Sequence, residues 1–97
     1  MNTYIVLGNY TEQGIRHIKE SPKRVNATRK MIKELGGKMT AFYLTLGSHD
    51  WVVVAELPDD ETAAKMLLKL GSLGNVRTTT LRAFTEAEYK GIIEGLP

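Results

Sequence analysis

Apolar positions along this 97-residue chain change period several times, and each change marks an element. Residues 3–10 are short, apolar and rich in β-formers (Tyr4-Ile5-Val6-Leu7), which predicts a strand. Thr11 then offers a side-chain oxygen to cap a helix, and Glu12 stands in its first turn, where the helix dipole favours an acid. Ile15 and Ile18 share a face of that stretch before Ser21-Pro22 interrupts it. Proline lacks an amide hydrogen and belongs in a first helical turn, which Ser21 is placed to cap. The spacing predicts a short helix, a kink and a longer helix to Leu35, with Val25, Thr28, Ile32 and Leu35 as its buried stripe. Gly36-Gly37 ends it, since glycine takes the left-handed cap conformation without strain.

Residues 38–46 alternate as a second strand, and residues 50–57 form a third. Gly47-Ser48-His49 reads as a tight turn that makes the two a hairpin. Pro58-Asp59-Asp60-Glu61 opens a second helix with acids at its dipole-favoured end. Ala63, Met66, Leu67 and Leu70 are its stripe and Gly71 its stop. Residues 75–84 form the fourth strand, through Thr78-Thr79-Thr80. Thr85 followed by Glu88 matches a capping box and starts a last short helix with Tyr89, Ile92, Ile93 and Leu96 on one side.

Strand–helix–strand–strand–helix–strand is the ferredoxin-like βαββαβ order of an α+β fold, here with an extra C-terminal helix. One domain over residues 1–97 is expected, with a four-stranded antiparallel sheet and strands one and three in the middle. Those two strands read apolar on both faces, Tyr4-Ile5-Val6-Leu7 and Trp51-Val52-Val53-Val54-Ala55. Two helices cover only one face. The expected cover for the other is the same face of a second copy, a homodimer with an isologous contact. The alternative is that the last helix folds over that face.

Composition narrows the chemistry. The chain has no cysteine, which removes disulfides, thiolate metal sites and a cysteine nucleophile and fits a cytoplasmic setting. The start shows no signal peptide, and no apolar run approaches the roughly 20 residues a membrane helix needs. The formal charge is +2, unevenly spread: residues 1–49 hold eight Lys/Arg against three Asp/Glu, and residues 50–97 hold five against eight. The basic excess (Arg16, Lys19, Lys23, Arg24, Arg29, Lys30, Lys33) reads as a solvated helix face. Nucleic-acid binding is not expected, because the third strand is aliphatic after Trp51 and no RNA-binding consensus is present. His17 has Gln13 and Ser21 at its i±4 positions, so no metal site is expected, and no cofactor is implied.

Several blocks occur in order: Thr3-Tyr4-Ile5-Val6-Leu7, Gln13-Gly14-Ile15, Ser21-Pro22-Lys23-Arg24, Glu56-Leu57-Pro58-Asp59-Asp60, Gly71 through Thr78, and Leu81-Arg82-Ala83-Phe84-Thr85. Together they resemble the bacterial GYD-domain family over nearly the whole chain. The resemblance implies a place in the wider dimeric α/β-barrel group, which includes ligand binders, cofactor-free monooxygenases and isomerases, and haem-handling enzymes. It brings no reaction with it. The chain departs from the Gly-Tyr-Asp motif: at Gly47-Ser48-His49-Asp50, His49 stands where the family's tyrosine is expected.

The expected topology gathers Asn9, Tyr10, Ser48, His49, Asp50, Asn75 and Arg77 at one sheet edge, with helix one pointing its N-terminal amides there, which suits an anion. Gly8, Gly47, Gly71 and Gly74 are placed to let backbones approach closely at that edge. An unperturbed histidine changes charge near neutral pH, which makes His49 a candidate catalytic base, with Asp50 beside it. His49, Asp50, Asn75 and Arg77 are candidate ligand contacts and Tyr10 a wall, although turn chemistry is the favoured account of His49 and Asp50. Trp51 and Tyr43 are read as core or dimer packing, with stacking on a flat ligand as the other use. Three functions stay open: a homodimeric binding module for a small polar or anionic molecule, a cofactor-independent isomerase or monooxygenase, and a structural or regulatory association module.

Overall fold

Asn2–Tyr10 (β1) lies in the middle of the sheet because it is apolar on both faces and must be covered on both. The computed structural model describes residues 1–97. After β1 come α1 (Glu12–Arg16), a 3-10 turn (Ile18–Glu20), α2 (Ser21–Glu34), β2 (Lys38–Leu44), β3 (Trp51–Leu57), α3 (Asp60–Ser72), β4 (Val76–Ala83) and α4 (Glu86–Glu94). The strands form one antiparallel sheet in the order β2-β3-β1-β4, the ferredoxin-like arrangement expected from the element order. No helix is long and apolar enough to cross a membrane.

Alternation divides the sheet into two faces. On the helix side, Tyr4, Val6 and Gly8 of β1 stand beside Ala55, Val53 and Trp51 of β3, and all six are buried. Ile32 of α2 and Ala63 and Met66 of α3 close over them, with Met39, Leu57 and Val76 completing the core. Each fully buried Ile, Leu, Val or Met side chain stabilises the fold by roughly 1.5–3 kcal/mol. Gly8 is a requirement of this packing: a Cβ there would stand 2.1 Å from the Trp51 indole, so only glycine lets the indole lie flat on the sheet. On the opposite side, Ile5 and Leu7 flank Val54 and Val52, with Ala41 and Tyr43 of β2 and Leu81 of β4 beyond. This face is apolar, and Tyr43 and Leu81 are 62% and 48% exposed.

Helix ends follow their caps. Thr11 accepts the Gly14 amide at 3.1 Å and starts α1. Asp59 accepts the Thr62 amide at 2.8 Å and starts α3, and its bonds to Thr62 hold its carboxyl below the ordinary carboxylate range. The capping box at Thr85 and Glu88 is formed. Tyr4 anchors the first turn of α3 by donating its hydroxyl to Asp60 Oδ1 at 2.5 Å, and the Arg82 guanidinium lies over its ring. Burial first, then the Asp60 bond, push the Tyr4 hydroxyl above its ordinary pKa.

Three local expectations are corrected, and the alternative cover for the open sheet face is not found. Ser21 does not cap α2: Glu20 occupies the cap position without a side-chain bond, and the Ser21 hydroxyl instead lies 3.5 Å from that of Tyr10. Residues 45–50 form a longer loop than the expected tight turn, closed at Thr45, which bonds the His49 and Asp50 carbonyls. Gly71 does not stop α3, which runs on to Ser72; the positive φ that ends the turn belongs to Gly74. Finally, α4 has no buried residue, and its apolar side (Tyr89, Ile92, Ile93, Leu96) is 46–62% exposed, so it does not roof the open sheet face.

Two substitutions test the packing. Gly8→Ala is expected to lower stability by about 1–3 kcal/mol by driving a methyl into the Trp51 ring. Thr80 Oγ1 is buried on the helix side without a hydrogen-bond partner, so Thr80→Val is expected to raise stability by about 1 kcal/mol. Urea melts of both variants check the opposite signs.

Candidate functional site

The ends of β1 and β3 and the loop 45–50 meet at one sheet edge. Asp50 continues the β3 ladder by one residue: its amide donates to the Gly8 carbonyl at 2.8 Å, and its carbonyl accepts from Thr45 at 2.9 Å. Its carboxylate accepts the Tyr10 amide at 2.9 Å. The Asp50 carboxylate is therefore engaged by backbone, and no bond joins it to the His49 ring. Asn9 Nδ2 donates to the Ser48 carbonyl at 2.9 Å, which leaves Asn9 Oδ1 as the acceptor 3.0 Å from His49 Nδ1. Asn9 Oδ1 then accepts from Nδ1–H of His49, and His49 Nε2 makes no bond within the protein. Arg77 stands opposite Asn9 in the β1–β4 register, exposed and outside every ion pair of the molecule.

The expected cluster divides here. Asn9, Ser48 and His49 come together, with Arg77 on the same face. The Tyr10 side chain goes the other way, onto the helix side, because strand alternation turns consecutive residues to opposite faces. Asn75 leaves the edge as well and goes with Tyr10 to the helix side: its carbonyl accepts from Thr11 at 3.1 Å and its Oδ1 from Gln13 at 3.0 Å. The expectation of an anion at the N-terminus of helix one also changes, since α1 has only five residues and Thr11 caps its Gly14 amide. Gly14 is also required by close approach, because a Cβ there would stand 2.0 Å from the Asn75 carbonyl. Gly47 and Gly71, by contrast, face open space, although Gly47 takes a positive φ of 112°.

One feature was not foreseen from the sequence. Between α2, α3 and the sheet lies a cavity of about 480 Å³. Trp51 and Phe42 form its floor, stacked with ring centroids 6.1 Å apart. Val25, Thr28 and Met31 of α2 and Leu70 of α3 form its walls, and Tyr10, Ser21, Arg24 and Asn75 also line it. The only sequence signal was the modest size of Val25 and Thr28 on the inward stripe of α2, and a stripe alone does not say how far apart two helices stand.

The GYD-domain model matches residues 4–93 of the chain. The chain belongs to the GYD-domain family. It is 35% identical over 89 residues to the glutamine synthetase and cystathionine beta-lyase binding protein of Thermus thermophilus, covering 91% of this chain and 94% of that one. It is also similar to the crystal structure of TTHA0845 from Thermus thermophilus, at a TM-score of 0.56 and 30% identity, covering 88% of this chain and 95% of that one. The crystal structure of FFRP-DM1 matches at a TM-score of 0.63 over 87% of this chain and 100% of that one, and at 15% identity it shares the fold alone. At the hairpin of this GYD domain, His49 holds the loop to β1 through Asn9.

These contacts rank the two loop residues. Asp50→Ala leaves the Tyr10 amide without its charged acceptor, an expected loss of about 1–3 kcal/mol. His49→Ala removes one half-buried bond and is expected to lose less than about 1 kcal/mol. Thermal melts of the two variants check the order.

Proposed function

We propose that this GYD-domain protein is a homodimeric docking module that binds metabolic enzymes. The observation that carries the reading is partly exposed apolar surface on two elements: the sheet face of Ile5, Leu7, Val52 and Val54 with Tyr43 and Leu81, and the half-exposed Tyr89, Ile92 and Ile93 of α4. Contiguous exposed apolar surface marks an interaction site. A flat self-complementary sheet face suits a second copy through a two-fold contact, and α4 is then left to meet a different protein. The Thermus relative, named for binding glutamine synthetase and cystathionine beta-lyase, supports an enzyme as that partner.

A second reading, a small polar or anionic molecule held at the sheet edge, is favoured by one observation: Arg77 stands beside Asn9 and His49 without an acid to neutralise it. Asp50 takes part in it by shaping the edge, and Tyr10 by the backbone amide that Asp50 holds. An enzymatic form of this reading, an isomerase or monooxygenase without cofactor, uses Nε2 of His49 as general base. His49→Ala then abolishes turnover and keeps the fold, whereas Arg77→Ala weakens binding most if the site only binds.

Size-exclusion chromatography with light scattering tests the pairing. The parent is expected to run as a dimer and Val54→Asp as a folded monomer, because Val54 faces the open side. Val53→Asp is expected not to fold, because it buries an unpaired charge in the core at a cost of several kcal/mol. A monomeric parent overturns the dimer. Biolayer interferometry against purified glutamine synthetase and cystathionine beta-lyase tests the partner: binding to either, lost in Ile92→Asp, supports the reading, and binding to neither removes it.

A further inference from the structure

We propose that the cavity between α2, α3 and the sheet binds a small molecule with an apolar body and a single anionic group, the body resting on Trp51 and Phe42 and the anion held at Arg24. Three observations carry this. The first is size: the pocket opens to solvent, and its volume of about 480 Å³ falls in the range of small-molecule pockets, roughly 300–1,000 Å³. The second is the floor. Gly8 lets the Trp51 indole lie flat, and Phe42 extends the surface at an interplanar angle of 26°. A flat apolar shelf of this kind accepts an aromatic ring or an alkyl chain.

The third is the placement of charge. Arg24 lines the cavity, and its Nη1 and Nη2 donate to the His17 and Gly14 carbonyls at 3.0 and 3.2 Å. Those bonds fix the guanidinium in place and leave its charge intact, because carbonyls are neutral and no carboxylate pairs with it. Its remaining N–H groups are free to donate. Asn75, whose Oδ1 is already engaged by Gln13, adds an amide nitrogen, and Tyr10 and Ser21 add hydroxyls. Glu34 and Lys69, also on the lining, carry opposite charges, so Arg24 sets the sign of the site. An anion therefore gains a positioned cation and neutral donors, which a cation does not. The site is on the covered side of the sheet, so it stands or falls independently of docking through the open face.

Trp51 is the only tryptophan in the chain, and its emission reports directly on the cavity floor. The probe is decanoate below its micelle-forming concentration, with decan-1-ol as the uncharged control. Decanoate is expected to change Trp51 emission saturably and to bind at least about ten-fold tighter than the alcohol, as a charge-assisted contact requires. Arg24→Gln is expected to remove that preference, Thr28→Phe to fill the space and remove binding of both, and Val54→Asp, on the open face, to change neither. If Thr28→Phe lacks a cooperative melt, Val25→Phe replaces it as the filling variant. No saturable change in the parent overturns the proposal, as does an unchanged preference for decanoate in Arg24→Gln or undiminished affinity in a folded filling variant.

Discussion

The antiparallel pairing of β1 with β3 is the contact on which the rest of the molecule depends. Its register puts Gly8 opposite Trp51, and that one pair does two things. It places the largest side chain of the protein where a neighbouring side chain is missing, so the indole is buried without forcing the strands apart. It also sets the alternation of both strands: a slip by one residue would turn Trp51, Val53 and Ala55 outward and every core contact with them. The helices then have a single floor to pack on. Ile32, Ala63 and Met66 find it, and α1 follows from it, because Gly14 can lie against Asn75 only once β1 and β4 are paired.

The same pairing creates an asymmetry. Two central strands that are apolar on both faces need two covers, and the chain carries helices for one. On the open face Ile5, Leu7, Val52 and Val54 stay half-buried. The last helix does not relieve this, since α4 stands with its own apolar side half-exposed. The molecule thus presents two apolar surfaces on separate elements, a geometry suited to holding one partner on the sheet and another on the helix. The polar edge at Asn9, His49 and Arg77 borders the first of these surfaces, because all three lie at the open end of the same strands. The cavity lies on the far side, beneath α2 and α3. The protein therefore offers a surface and an interior as separate places for function.

How far the chain is legible depends on whether a feature is local. Caps that rest on near neighbours can be read directly: Thr11 for α1, and Thr85 with Glu88 for α4. So can the strand order, which follows from the number of faces each strand must bury. Ser21 departs from its expected capping role because its hydroxyl is drawn to Tyr10, eleven residues away. The turn expected at residues 47–49 becomes a longer loop, closed at Thr45, which bonds the carbonyls of His49 and Asp50. The grouping of Tyr10 with His49 fails at the level of side-chain direction, although both belong to the same edge.

By itself, then, the sequence determined the family, the order of elements and the ferredoxin-like sheet, since these rest on periodicity, capping and the apolar character of β1 and β3, all written within short windows of the chain. Only the tertiary structure decided which face each edge residue occupies, that Asp50 serves the backbone while His49 pairs with Asn9, and that α2 and α3 stand far enough apart to leave a cavity over Trp51. Those outcomes depend on distances between segments far apart in the chain, set by how a few large side chains pack together, and no local pattern of residues records such a distance.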